Sequence, residues 1–282
     1  MSRYSRPMTS LAALITVYHR IDPAELTEAL GSLATQSRPA DEIVIVEDGP
    51  LPPELNAVIE GFVAERPEAR VVKLASNQGA GPASQAGLDT INTEWLARLD
   101  ADDVAHPERF QRQLSYAAAH PEVDVIGTAV AEFDASVDAP GNVRALPPTH
   151  EEIARYAKLN SPVNNPSVMM RSEAVDKVGG YRDVHHMEDY DLYARLLAGG
   201  YRFVNLPEAL TFFRVDDAQF GRRTGTGMFA AEREMQRNLV AYGLISRPRA
   251  WANTVIRMVY RALPKALLTR VYSRLFHRQG VD

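Results

Sequence analysis

Three carboxylates fall within four residues at Asp100-Ala101-Asp102-Asp103, after the apolar segment Trp95-Leu96-Ala97-Arg98-Leu99 and before a helix-like run that starts near Pro107. Acids this close repel one another unless a cation or a solvent shell offsets them. Mg²⁺ and Mn²⁺ prefer oxygen ligands and often hold substrate phosphates through one or two carboxylates. The stretch therefore suits a metal that in turn holds a diphosphate. The plainer reading is an acidic turn that caps the next helix, because Asp is a frequent turn and N-cap residue. A second acidic group, Glu188-Asp189-Tyr190-Asp191, opens the helical run EDYDLYARLLA, which turns Leu192, Leu196 and Leu197 inward. Acids in a first turn are favoured by the helix dipole.

These acids need a frame. Residues 10–18, 42–46, 71–74 and 95–99 are short apolar runs rich in β-formers. Helical patterns alternate with them: one starts at Asp22-Pro23 and carries Leu26, Leu30 and Leu33, the next covers residues 55–62, and a third covers 83–90. Continuous apolar strands alternating with helices predict an α/β fold, a mostly parallel sheet with helices on both faces. Ligands of such sheets sit outside the carboxyl ends of the strands. That rule gathers Thr16-Tyr18, Asp48 and Asp100-Asp103 on one edge, which favours a nucleotide site over a turn.

Further along, residues 109–120 read as a helix, 123–133 as one or two strands, 134–149 as a loop or hairpin, and 151–159 as a helix. A strand over 167–171, a sharp turn at Gly179-Gly180-Tyr181, strands over 201–204 and 210–215, and a helix over 228–242 follow. The chain has 282 residues, 45% of them apolar, and no cysteine, which excludes disulfides and thiolate metal sites. No run resembles a signal peptide or spans a bilayer, so a cytoplasmic protein is expected. His185-His186 reads as a surface pair rather than a zinc site, His106 as structural, and Asn164-Asn165 as either acceptor-lining or loop-capping.

Taken in order, TVY, EIVIVEDG, NQGAGPASQAGL, WLARLDADDVAHPERFQRQL, GGYR and EDYDLYARLL resemble the family 2 glycosyltransferases of the GT-A fold, most closely the bacterial enzymes of exopolysaccharide and surface-glycan synthesis. The resemblance covers about residues 11 to 225 and divides the chain into a catalytic domain, 1–225, and a helical basic extension, 226–282. It implies an inverting transfer from a nucleotide-sugar donor, a UDP-sugar, to a glycan or lipid-diphosphate-linked saccharide. Thr16 and Tyr18 match positions that meet the nucleoside, and Asp48 a carboxylate at the base or ribose. Asp100 matches the first acid of the DxD motif, at the ribose; Asp102 matches the acid that binds Mn²⁺ or Mg²⁺, and Asp103 supports it. Glu188-Asp189 matches the family's ED motif, with Asp189 as base and Asp191 as the alternative. Arg222 and Arg223, flanked by Gly221, Gly225 and Gly227, resemble basic residues on a loop that covers the donor diphosphate. One departure is Ala83-Ser84-Gln85, where many members carry Ala-Arg-Asn.

Two other classes stay open on the sequence. A nucleotidyltransferase would carry a Gly-rich loop with Arg and Lys after its first strand, and Val17-Tyr18-His19-Arg20 has no glycine. A non-catalytic nucleotide-sugar-binding subunit would not need Asp102 and Asp189 together.

The net charge of −5 is unevenly spread. From Ser246 onward eight Arg/Lys face one acid, so this tail is +7 and the first 245 residues are −12. A body so acidic argues against nucleic acid. Residues 252–276 place apolar side chains at helical spacing with basic residues between them, interrupted by Pro264. Amphipathic, basic helices of this kind lie on anionic lipid, or pack their apolar face on protein. The expected location is thus peripheral, on the inner face of the cell membrane.

Overall fold

The computed structural model describes residues 9–215 and 227–262. The sheet is nine-stranded. Its parallel half contains β1 (Leu11–Val17), β2 (Glu42–Glu47), β3 (Ala69–Lys73) and β4 (Trp95–Asp100), in the order β3-β2-β1-β4. Between them run α1 (Pro23–Ala34), α2 (Pro53–Glu65) and α3 (Ala80–Leu88). Helix α1 starts where the sequence says it must: Asp22 accepts the N–H of Ala24 at 2.8 Å, and Pro23 occupies the first helical position, where a missing N–H costs nothing. Helix α3 begins three residues earlier than the periodicity suggests. Pro82 falls inside its first turn, where no intrahelical donor is required.

Beyond β4 the sheet becomes mixed. It continues through β8 (Met169–Arg171), β6 (Val125–Phe133), β9 (Phe203–Arg214) and β5 (Val104–Ala105), and β7 (Val143–Arg144) forms a hairpin with β6. Strand β8 runs antiparallel to both β4 and β6, whereas β6 and β9 are parallel. The two strands expected over 201–215 are one strand. Its register against β6 shifts between Leu206 and Ala209, so Pro207 and Glu208 bulge outward and the pairing resumes beyond them. The remaining helices are α4 (Arg109–Ala119), α5 (His150–Tyr156), α6 (Ser172–Lys177), α7 (Glu188–Ala198), α8 (Gly227–Ala241) and α9 (Arg247–Ala262), with a 3₁₀ turn at Asn165–Ser167.

Alternate residues of the parallel strands feed two cores. Ala13, Ile15 and Val17 pack with Leu26 and Leu30 of α1 and Ile59 of α2, while Leu14, Val44 and Leu96 pack with Ala83 of α3 and Leu192 and Leu196 of α7. Helix α7 is therefore held against the sheet face that carries the even-numbered residues of β4. A third cluster joins Tyr190 and Ala194 of α7 to Met228, Met235 and Leu239 of α8.

Candidate functional site

Strand β4 alternates, so Arg98 and Asp100 face the same side, toward α7. Asp100 pairs in register with Thr16 on β1, and Asp48 follows the end of β2, its N–H bonded to the Val17 carbonyl at 2.8 Å. Thr16, Tyr18, Asp48 and Asp100 thus lie on one edge of the sheet. Thr16, Tyr18, Asp100 and Asp102 are half-buried. Asp48 is buried, and its two carboxylate oxygens accept the N–H groups of Gln78 (2.7 Å) and Gly79 (3.0 Å). It fixes the loop that leads into α3. Gly49 is required beside it: φ is +84°, and a Cβ there would stand 2.4 Å from the Asn77 nitrogen.

The carboxylate of Asp100 accepts from two side chains, the Arg98 guanidinium and the Asn165 amide, both at 3.3 Å. Asn165 in turn accepts the Tyr193 hydroxyl of α7 at 2.9 Å. Arg98 is buried and lies 5.9 Å from the Tyr181 ring centre. Burial opposes its charge, but Tyr181, Asp100, Tyr193 and Glu188 outweigh that and hold its pKa above the usual value. A buried cation therefore lies between the acids of β4 and those of α7. Period-two spacing from Asp100 would have found Arg98, whereas Asn165 and Tyr193 reach the site only through tertiary packing.

At α7, burial first and the neighbouring Asp189 charge second push the Glu188 carboxyl up to about 7, although Arg98 opposes the shift. Asp189 is half-buried and accepts the N–H of Tyr190 at 2.7 Å. Asp191 faces the other way. It is fully buried, paired with Arg195 at 2.8 Å, and accepts Asn238 (3.0 Å) and the Tyr242 hydroxyl (2.7 Å) from α8 and its end. That environment leaves Asp191 with no exposed surface and makes it the anchor of α8 on α7.

Asp103 divides from its neighbours in the same way. It is buried and accepts the backbone N–H of Arg214 at 2.8 Å. Burial, then the Asp102 and Asp100 charges, push its carboxyl well above the usual range. Arg214 also donates to the Asp102 carbonyl at 2.9 Å and pairs with Glu25 and Glu28 of α1, so the end of β9 clamps the acidic loop from outside. Nothing near Arg214 in the sequence points to this role.

The remaining candidates separate cleanly. Asn164 is buried and bonds to the Thr128 carbonyl and to Arg144, a loop-holding role. Gln85, at the Ala83-Ser84-Gln85 departure, accepts the Tyr181 N–H at 2.6 Å and ties α3 to the Gly179-Gly180-Tyr181 turn. The rings of His185 and His186 lie 3.9 Å apart, tilted by 48°, and among the described residues no three metal-ligating groups converge. Arg222 and Arg223 lie outside the described residues. A divalent ion at this edge would be held by Asp102. It fits the donor chemistry: a half-buried carboxylate with oxygen ligands only, which leaves further positions to phosphate oxygens and water.

The parallel half-sheet with acids at its carboxyl edge, joined to an antiparallel β8 and a helix bearing a second acid pair, defines a GT-A glycosyltransferase fold. The chain belongs to glycosyl transferase family 2, whose sequence profile matches residues 12–179. It is 33% identical over 263 residues to the amylovoran biosynthesis glycosyltransferase AmsE of Erwinia amylovora, covering 93% of this chain and 98% of that one. It is 28% identical to the UDP-Gal:alpha-D-GlcNAc-diphosphoundecaprenol beta-1,3-galactosyltransferase of Escherichia coli, covering 95% and 96% of the two chains. In fold it matches S. aureus TarS 1-349 in complex with UDP-GlcNAc, with a TM-score of 0.67 at 16% identity over 95% of this chain and 73% of that one. The chain spans 65% of the same TarS fragment in two further structures. It also matches the mannosyltransferase PcManGT of Pyrobaculum calidifontis in complex with GDP-Man and Mn²⁺, with a TM-score of 0.59 at 15% identity over 94% and 79%.

Proposed function

We propose that this glycosyltransferase is inverting and metal-dependent, and moves a sugar from UDP to a glycan or a lipid-diphosphate-linked saccharide in surface-polysaccharide synthesis. The observation that supports the reading best is the arrangement around Arg98. One buried guanidinium is hydrogen-bonded to Asp100, whose carboxylate is tied through Asn165 to Tyr193 of α7, so the β4 edge and α7 border one site. Donor and acceptor groups on two such walls meet in a fixed orientation, which supplies much of the acceleration.

In this reading Thr16, Tyr18 and Asp48 take the nucleoside, and Asp100 takes the ribose. Asp102 holds Mn²⁺ or Mg²⁺, which when bound offsets the charge that develops on the leaving diphosphate. Asp189 receives the proton of the acceptor hydroxyl as it attacks. With one base opposite the leaving group and no internal nucleophile, direct displacement inverts the anomeric centre. Glu188, whose carboxyl is pushed up to about 7, would carry only part of a second negative charge beside the base near neutral pH. Arg222 and Arg223 would cover the diphosphate, and residues 1–225 would form the catalytic domain with 226–282 as its extension.

The UDP choice is supported by the E. coli relative, named for a UDP-Gal donor, and by TarS with UDP-GlcNAc; metal use by PcManGT with Mn²⁺. The acceptor class rests on that relative's diphosphoundecaprenol-linked substrate and on AmsE's place in amylovoran biosynthesis. A lipid-linked acceptor places the protein at the inner face of the cell membrane. Among the described residues no helix is long and apolar enough to cross a membrane. A screen of nucleotide sugars by thermal unfolding with Mn²⁺ tests the donor assignment. A UDP-sugar should raise the unfolding midpoint, as any ligand of the native state does. Stabilisation by GDP-sugars alone would overturn the UDP assignment.

A further inference from the structure

Helix α9 is built inside out. Its inward side is polar: Asn253, fully buried, donates to the Lys158 carbonyl at 2.7 Å and to Gln236 at 3.0 Å. Arg257 bonds Glu232 of α8 at 3.3 Å and Asn160 at 3.1 Å. Its outward side is apolar. Trp251 is 72% exposed, Val255 39% and Met258 49%, a stripe at i, i+4 and i+7, with Ile256 alongside at 52%. Phe229 of α8, 41% exposed, shares a small cleft with Met258 and extends the patch. A helix on a water-facing surface carries the opposite order, apolar inward and polar outward. Contiguous apolar exposure of this kind marks an interaction site.

We propose that this face of α9 is the surface by which the chain lies on an anionic lipid bilayer. Charge selects the occupant. Residues 246–282 carry eight Arg/Lys and one acid, and the rest of the chain carries −12. Two copies meeting through this face would bring together two helices that each carry Arg247, Arg249, Arg257 and Arg261 and no acid, whereas anionic headgroups attract such a helix and repel the acidic body, which fixes the orientation. The start of the helix also carries a basic cleft. At the start of α9, Arg155, Lys158 and Arg249 line a cavity of about 410 Å³ with Ser246. Trp251, with an apolar body and one N–H, suits the lipid–water boundary. The docking helix is also tied to the site: α9 bonds to α8 through Asn253 and Arg257, and α8 bonds to Asp191 of α7 through Asn238. Contact with lipid would therefore fix how the site, Asp189 included, sits relative to the bilayer. The inference rests on the proposed function only for its use, a membrane-borne acceptor, and its test requires neither nucleotide nor acceptor.

The test is co-sedimentation of the full-length chain with vesicles of phosphatidylcholine alone and of phosphatidylcholine containing phosphatidylglycerol. Wild type should bind the anionic vesicles, less so as salt is raised, and not the neutral ones. W251E/V255E should lose anionic-vesicle binding roughly tenfold or more, and R247E should lose it severalfold, with thermal unfolding unchanged in both. Undiminished binding by W251E/V255E would overturn the proposal. So would a wild-type dimer in light scattering that this variant turns into a monomer while vesicle binding stays the same, since the face would then belong to a second copy. A transferase that fails on every lipid-linked acceptor yet binds vesicles through α9 would count against the proposed function alone.

Discussion

The two acidic groups, Asp100-Asp103 at the end of β4 and Glu188-Asp191 at the start of α7, look alike in sequence and are folded on the same plan. Each turns acids toward the shared edge and one acid into the protein. The buried members differ in what meets them. Asp191 has a guanidinium, an amide and a hydroxyl, so its charge is matched by Arg195. Asp103 accepts the backbone N–H of Arg214, with the Asp102 and Asp100 charges nearby, so burial drives it toward its neutral form. The contrast teaches that a buried carboxylate is a structural ion where a cation bonds to it directly, and is driven toward a neutral hydrogen-bonding group where a backbone N–H meets it and burial with neighbouring acids outweighs a more distant cation such as Arg144.

Replacements should separate these cases. The largest effect is expected at Asp191. Asp191→Ala leaves Arg195 buried without its counter-charge, which costs about 3–5 kcal/mol in urea unfolding, while the folded fraction keeps its activity. A loss below about 1 kcal/mol would mean that α8 does not depend on this pair.

Glu188 comes next. Its folded pKa of about 7 lies above the ordinary 4.5, so between those values the folded chain keeps a proton that the unfolded chain has lost. Stability therefore falls as pH rises through that window and levels off above it. Glu188→Gln should flatten the slope and, at neutral pH, exceed wild type by about 2 kcal/mol, a figure discounted for the side chain's partial exposure. An unchanged slope would show that Glu188 ionises normally.

The smallest effect belongs to Asp103. Asparagine keeps the oxygen that accepts the Arg214 N–H and carries no charge, so Asp103→Asn should shift unfolding by less than about 1 kcal/mol. A loss comparable to that of Asp191→Ala would mean that Asp103 is ionised after all.

Much of this site was legible before folding. Apolar runs with helices between them place Thr16, Asp48 and Asp100 on one edge because parallel strands all end there, and β1, β2 and β4 are paired that way. The inward turn of Asp103 and Asp191 was not legible. A helical wheel separates Asp189 from Asp191 and sets Asp191 over Arg195 at i, i+4, yet it cannot tell that this face turns inward and meets α8. Asn165 and Arg214 were hidden for a related reason: each arrives from a segment far along the chain, brought in by β8 and β9 pairing into a sheet whose order is not its sequence order. The inverted polarity of α9 was half visible. Spacing predicted an amphipathic basic helix, but only packing reveals that the polar side faces inward.

The division of labour between the two groups is the central claim, and one titration tests it: UDP with Mn²⁺ against wild type, Asp102→Asn and Asp189→Asn, followed by transfer assays on the same samples. Asp102→Asn should lose the Mn²⁺-dependent part of UDP affinity. Asp189→Asn should bind UDP and Mn²⁺ as wild type does, yet transfer about a thousandfold more slowly. Mn²⁺-dependent binding that survives Asp102→Asn, or transfer that survives Asp189→Asn, would contradict the account.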